Sequence, residues 1–227
     1  MTSDFDPIAR RDAQRRFWRE RYREDPSFFG EGESPFSRWC MTFLRAEPAA
    51  REVIELGGGY GRDARFFAEQ GFRVRGVELA LTEAVRGRSS RNDGAGSYEL
   101  FGGDAFEFLR RATAGSADVV YSNMFYNMDF REREHVTLFE LVGKVLRPGG
   151  LHLYSARSST DPWYGRGEAV APDTYRPDPG GIALHFFSAA YAERLGARAF
   201  SAVERIEVSE GSGDFPVRLL YVADRSR

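Results

Sequence analysis

Val53-Ile54-Glu55-Leu56-Gly57-Gly58-Gly59-Tyr60-Gly61-Arg62-Asp63 is a short apolar run that ends in a cluster of glycines and passes into a helical pattern. Glycines let a chain turn sharply and let a ligand approach backbone with no Cβ in the way. Working outward, similar apolar runs recur at 52–56, 72–79, 98–104, 117–123 and 150–156. Helical stretches separate them at 62–70, 80–90, 105–111 and 132–146, and Arg147-Pro148-Gly149 reads as a stop signal for the last. Alternation of strand and helix predicts a mostly parallel sheet with right-handed crossovers and helices on both faces. A helix over 188–195 and two strands, 199–209 and 215–223, close the chain. The last pair reads as an antiparallel hairpin at a sheet edge, which brings the sheet to seven strands. The expected fold is α/β, a doubly wound, mostly parallel sheet with an antiparallel C-terminal strand.

Before the first strand, residues 7–23 predict a helix with sparse apolar positions, Ile8, Phe17, Trp18 and Tyr22, ended by Pro26. A second helix starts at Ser34 as N-cap with Pro35 in the first turn, and carries Phe36, Trp39, Phe43 and Leu44 at helical spacing. Residues 1–47 therefore read as an N-terminal helical cap. The stretch 157–187, rich in Pro, Gly and aromatics, is too long for a plain connector and reads as a substrate loop. With 227 residues, the chain is expected to be a single domain, 1–227.

Composition narrows the function. A formal net charge of −2 gives no basic footprint for nucleic acid. Cys40 is the only cysteine, and His135, His152 and His185 have no paired-ligand spacing, so no metal centre is expected. The N-terminus lacks an apolar secretory core and no later stretch reaches the ~20 apolar residues of a membrane span. The reading is a cytoplasmic protein with a small-molecule partner, neither nucleic-acid- nor membrane-bound, as monomer or homodimer.

A dinucleotide loop of G-x-G-x-x-G form needs its third glycine at position 62, where Arg62 stands. The pattern present is Glu55-x-Gly57-x-Gly59-x-Gly61. In this form the chain resembles the class I S-adenosylmethionine-dependent methyltransferases, and the resemblance runs from residue 50 to 157. It implies a Rossmann-like sheet and S-adenosylmethionine as cofactor, held by Glu55, Gly57, Gly59 and Gly61. Glu78, with Leu79 after it, ends the second strand where a carboxylate accepts from ribose hydroxyls. Gly103-Asp104-Ala105-Phe106 resembles the family's third-strand motif, in which the aspartate takes the adenine amino group and Ala105 flanks the ring. Asp118-Val119-Val120-Tyr121-Ser122-Asn123 and Leu146-Arg147-Pro148-Gly149-Gly150-Leu151 resemble its fourth- and fifth-strand segments. The plain alternatives are a tight strand-to-helix turn, an N-cap at Asp104 and a helix stop at Arg147-Pro148-Gly149.

Ligands in such folds bind at the carboxyl edge of the sheet, so the acceptor is expected at Asn123–Asn127. Asn123-Met124-Phe125-Tyr126 resembles the Asn-Pro-Pro-Tyr motif of amino-group methyltransferases acting on DNA bases or glutamine, but both prolines are missing. Asn123 and Tyr126 are candidate catalytic residues, Asn123 also lining the methionine end of the cofactor, and His185 is a candidate base. Tyr22, Tyr126, Arg157, Trp163, Tyr164 and Tyr175 are candidate acceptor contacts. Arg157 either binds an acceptor carboxylate or pairs with a surface acid. The loop aromatics, with Phe17, Trp18 and Tyr22, form either a lid or a satellite cluster beneath a loop. The N-terminal stretch Phe17–Trp39 and the loop Asp161–Tyr175 resemble a small-molecule branch related to tellurite-resistance and thiopurine-type enzymes. The expected reaction is methyl transfer to a small molecule by in-line displacement. Aminocarboxypropyl transfer, elimination or cyclisation of the cofactor, or its use as a sensed ligand, are the alternatives.

Overall fold

The computed structural model of the protein describes residues 6–25, 27–83, 96–211 and 216–227. Chain order begins with two helices, α1 (Pro7–Glu24) and α2 (Pro35–Leu44). β1 (Glu52–Leu56), α3 (Arg62–Glu69), β2 (Arg73–Glu78), β3 (Ser97–Gly102) and α4 (Ala105–Arg111) follow. Then come β4 (Ala117–Asn123), α5 (Glu132–Val145), β5 (Leu146–Arg157), β6 (Glu168–Ala171), β7 (Thr174–Arg176) and β8 (Leu184–His185). α6 (Ala189–Gly196), β9 (Phe200–Glu210) and β10 (Val217–Ser226) complete the fold.

The main sheet has seven strands in the order β3-β2-β1-β4-β5-β10-β9. β10 runs antiparallel to both its neighbours, so the other six are parallel, and the terminal hairpin has β10 inside and β9 at the edge. Successive side chains of a strand face opposite ways, and here both faces are covered. Val53, Tyr121, Leu153 and Tyr221 face one core with Phe36 and Phe67. Ile54, Val120, Tyr154 and Val222 face the other with Phe139 and Phe187. This is why the strands read as continuous apolar runs.

The order reverses between β1 and β4, whose neighbours lead away in opposite directions, and at such a switch point the carboxyl ends of the strands leave a crevice. α2 is pinned beside it. Ser34 caps α2 and also gives its backbone N–H and hydroxyl to Asp63 at 2.8 Å each, while Tyr121 donates to the same carboxylate at 2.6 Å.

Two expectations need revision, while the helix expected over 80–90 lies mostly outside the described residues. Arg147-Pro148-Gly149 is not a terminus between elements: α5 passes at Val145 straight into β5, and the register against β4 jumps from Ala117↔Leu146 to Val119↔Leu151, with Gly149 at φ +79° in the bulge. A bulge of this kind absorbs the extra residues without breaking the strand. The 157–187 stretch is not an irregular loop alone, since β6, β7 and β8 pair there into a small antiparallel sheet.

α1 has no apolar stripe to bury. Ile8 is 67% exposed, and the buried positions of the helix are Arg10, Gln14 and Tyr22. Its attachment is largely polar: Arg10 pairs with Glu134 and donates to the Asp129 carbonyl, and Arg11 bridges Glu134 and Asp104 at 3.0 Å each. No helix among the described residues is long and apolar enough to cross a membrane.

Candidate active site

The glycine segment joins β1 to α3 as a tight loop. Gly57 and Gly58 both donate to the Val77 carbonyl, extending the β1–β2 ladder by one step. Gly57, Gly59 and Gly61 have φ of +71°, +55° and +82°, a region that side-chain-bearing residues avoid. A Cβ on Gly59 would stand 3.2 Å from the Tyr22 hydroxyl, because α1 lays that tyrosine over the loop. Gly61 serves geometry rather than contact: it caps α3, and a Cβ there would meet Leu100 at 2.9 Å.

Glu78 ends β2 with its carboxylate turned back on the loop. It accepts from the Gly59 N–H at 2.9 Å and from the Ala80 N–H at 2.8 Å. Burial raises its pKa, and those two donors oppose the rise. Glu55 lies under the glycines, buried, with Oε2 unpartnered; burial and then the Asp63 charge raise its pKa strongly. On β3's side, Asp104 caps α4 through Oδ1, which accepts from Phe106 N–H at 2.8 Å and Glu107 N–H at 3.2 Å. Its Oδ2 pairs with Arg11, whose guanidinium lies 4.5 Å over the Phe106 ring. Asp104 is therefore an N-cap and also an anchor for α1.

At the end of β4 the chain turns through Met124, a non-glycine residue at φ +58°. Such strain costs ~1–3 kcal/mol and persists where surrounding contacts hold it. Here Ser155 does so: its carbonyl and hydroxyl both accept from Met124 N–H, and its hydroxyl donates to Asn123 Oδ1 at 2.6 Å.

These pieces enclose one cavity of about 360 Å3. Glu55, Gly57, Gly59, Glu78, Leu79, Asp104, Ala105 and Asn123 line it, as do Tyr22, Arg157 and Trp163. Arg157 pairs with Asp161 at 2.9 Å and stacks 4.5 Å from Trp163, which realises the acid-pairing alternative, with a buried acid in place of a surface one. Five expected residues stand elsewhere, Gly61, which shapes the turn into α3, and four others. Tyr126 is fully buried in the core, its hydroxyl 2.9 Å from His152 Nε2. His185 packs on His135 and Tyr191 with Nδ1 bonded to Thr174, and burial and then the Arg131 charge push its pKa down to about 4. Tyr164 and Tyr175 pack edge-on against each other and Phe186 in the small sheet, the satellite-cluster alternative.

Asn127, at the end of the expected acceptor segment, lines it too, and the cavity also has walls that the motifs did not indicate: Arg11, Gln14 and Leu184. A signal existed for one of them. Gln14, Trp18 and Tyr22 are spaced i, i+4, i+8, so they share one helix face. Trp18 reaches Met128, its indole N–H 3.3 Å from Sδ, and stacks on Tyr22.

The chemistry of this wall fits S-adenosylmethionine. A loop whose glycines leave room only for backbone, an orphaned buried carboxylate oxygen beneath it and a second carboxylate at the next strand end suit a zwitterionic, ribose-bearing ligand. The fold and the site suit this cofactor, and residues 53–150 match a family model described as a methyltransferase domain.

Solved structures share the fold. The 1,6-didemethyltoxoflavin-N1-methyltransferase of Burkholderia thailandensis, solved with 1,6-didemethyltoxoflavin and S-adenosylhomocysteine, is similar at 19% identity and TM-score 0.74, over 97% of this chain and 90% of that one. A SAM-dependent methyltransferase from Methanosarcina mazei is similar at 15% identity and TM-score 0.68, over 86% and 98%. TehB from Haemophilus influenzae is similar at 15% identity and TM-score 0.55, over 83% of this chain and 62% of that one. No curated protein matches the chain significantly in sequence.

Proposed function

We propose that the protein transfers the S-adenosylmethionine methyl group to a small-molecule acceptor held under α1. The observation that carries this reading is that the glycine loop and the strained turn after β4 line one cavity, roofed by α1. In it, Glu55, Gly57 and Gly59 hold the methionine end together with Asn123. Glu78 accepts from the ribose hydroxyls with the lone pairs left after Gly59 and Ala80. Leu79, Ala105 and Asp104 flank the adenine.

The bound sulfonium supplies an activated methyl carbon with a neutral leaving group. Displacement at that carbon asks the protein chiefly to hold the acceptor in line and to exclude water. The roof of Phe17, Trp18 and Tyr22 and the flank of Trp163 serve exclusion. A small-molecule acceptor is supported also by the ligand of the Burkholderia thailandensis enzyme and by the chain's slight net negative charge, which offers nucleic acid no attraction.

Calorimetric titration with S-adenosylmethionine, S-adenosylhomocysteine and NAD tests this. Binding of the first two and not of NAD is expected. Turnover with an acceptor should then release S-adenosylhomocysteine; methylthioadenosine as product would replace methyl transfer by transfer or cyclisation of the aminocarboxypropyl arm.

A further inference from the structure

Two side-chain amides border the cavity with hydrogen-bonding capacity unspent. Gln14, on α1, is 4% exposed and its Nε2 has no partner; Asn127, in the turn after β4, is 1% exposed and its Oδ1 has none. Leaving such an atom dry and unpaired costs ~1–3 kcal/mol, so each is built to meet something. Each carboxamide presents a donor and an acceptor, and the pair reads an edge that offers both in return. The walls around it are flat and apolar: Phe17, Trp18, Phe125, Phe130 and Trp163.

Two of the cavity's arginines are engaged. Arg11 is tied to Asp104 and Glu134, and Arg157 to Asp161. A charged acceptor would have to break one of these pairs, whereas a neutral one leaves them intact.

We propose that Gln14 and Asn127 are specificity-determining residues that recognise an uncharged, planar heteroaromatic acceptor by a lactam-type N–H/C=O edge, its faces held between the cavity aromatics. This rests on the methyltransferase reading and deepens it. Neither amide touches the glycine loop's ligand in the assignment above, so cofactor binding and acceptor recognition separate experimentally.

The test uses the full chain saturated with S-adenosylhomocysteine and three probes: lumazine, which carries two lactam edges, quinoline, which is flat without one, and benzoate, which is flat and anionic. Calorimetry should show lumazine binding at least tenfold tighter than either of the others. Gln14→Leu and Asn127→Leu should each weaken lumazine by about threefold to tenfold, the size of one net amide hydrogen bond, and leave quinoline and S-adenosylhomocysteine unchanged. Gln14 sits on a cap helix, so its variant is read even if Asn127→Leu fails to fold. Lumazine binding no tighter than quinoline, a preference for benzoate, or unchanged lumazine affinity in Gln14→Leu each overturns the proposal. Failure of S-adenosylhomocysteine to bind the unaltered protein would instead overturn the methyltransferase reading beneath it.

Discussion

Gly59 combines two demands that no other residue meets together. Its φ of +55° disfavours a side chain, and the space where a Cβ would go is closed by the Tyr22 hydroxyl at 3.2 Å. Gly59→Val is expected to abolish S-adenosylmethionine binding, by straining the loop and driving Tyr22 into the cavity. Glu78 acts twice, fixing the loop through Gly59 and the following turn through Ala80 while facing the cavity. Glu78→Ala should weaken cofactor binding by about 1.5–3 kcal/mol, the worth of charge-assisted hydrogen bonds. Titration of both variants, with folding checked by circular dichroism, decides. Unchanged affinity in both would remove the glycine loop from the binding site.

Among the elements, α1 is held in an unusual way. Its contacts to the rest of the molecule run through Arg10, Arg11 and Gln14 as much as through Trp18 and Tyr22. Glu134 is the common partner of both arginines and also accepts from Arg131 N–H at the start of α5. Removing one partner of a buried ion pair strands the other, at a cost of ~3–5 kcal/mol if the helix stays in place. A surface helix escapes that cost by swinging out. Glu134→Ala is therefore expected to speed trypsin cleavage within α1 at least tenfold and to weaken cofactor binding, with little change in the urea midpoint of the sheet domain. Cleavage at the original rate would show that the aromatic contacts of Trp18 and Tyr22 suffice to keep the roof closed.

At the scale of the molecule, the buried histidines tie stability to pH. Burial pushes His152 down to about 3 and His185 to about 4, and holds His135, next to His185, well below 6.5. His135 Nε2 faces the Tyr126 carbonyl, which only accepts, so Nε2 carries the proton and Nδ1 accepts from Tyr191. All three are neutral in the fold. As pH falls below 6.5 the unfolded chain takes up protons that the native state refuses, so stability falls until the native pKa values are reached, by about 2 kcal/mol each for His152 and His185 at pH 5, with His135 acting in the same direction. Asp224 acts oppositely. Burial raises it to about 6, Arg205 opposing, so the fold binds its proton first and recovers ~1 kcal/mol over the same range. The net expectation is a marked loss of stability between pH 7 and pH 5, read from urea denaturation at the two values. Equal midpoints would mean that these histidines are solvated.

A mostly parallel sheet and the cofactor class were legible in residues 52–157, because apolar runs, glycine turns and helix caps act over a few residues and leave local marks. Ser34 and Asp104 cap the helices where their types predict, and Glu78 stands where β2 meets the loop. Which way a side chain faces beyond a motif was not legible. Tyr126 and His185 belong to the core and Gln14 to the cavity because α1, the turn after β4 and β8 are brought together only by the closed fold. The sequence by itself determined the class of fold and the loop that a cofactor needs, since those depend on backbone freedom and hydrophobic period. The tertiary structure decided the acceptor's surroundings, since those depend on contacts between segments more than a hundred residues apart, such as Arg10 with Asp129.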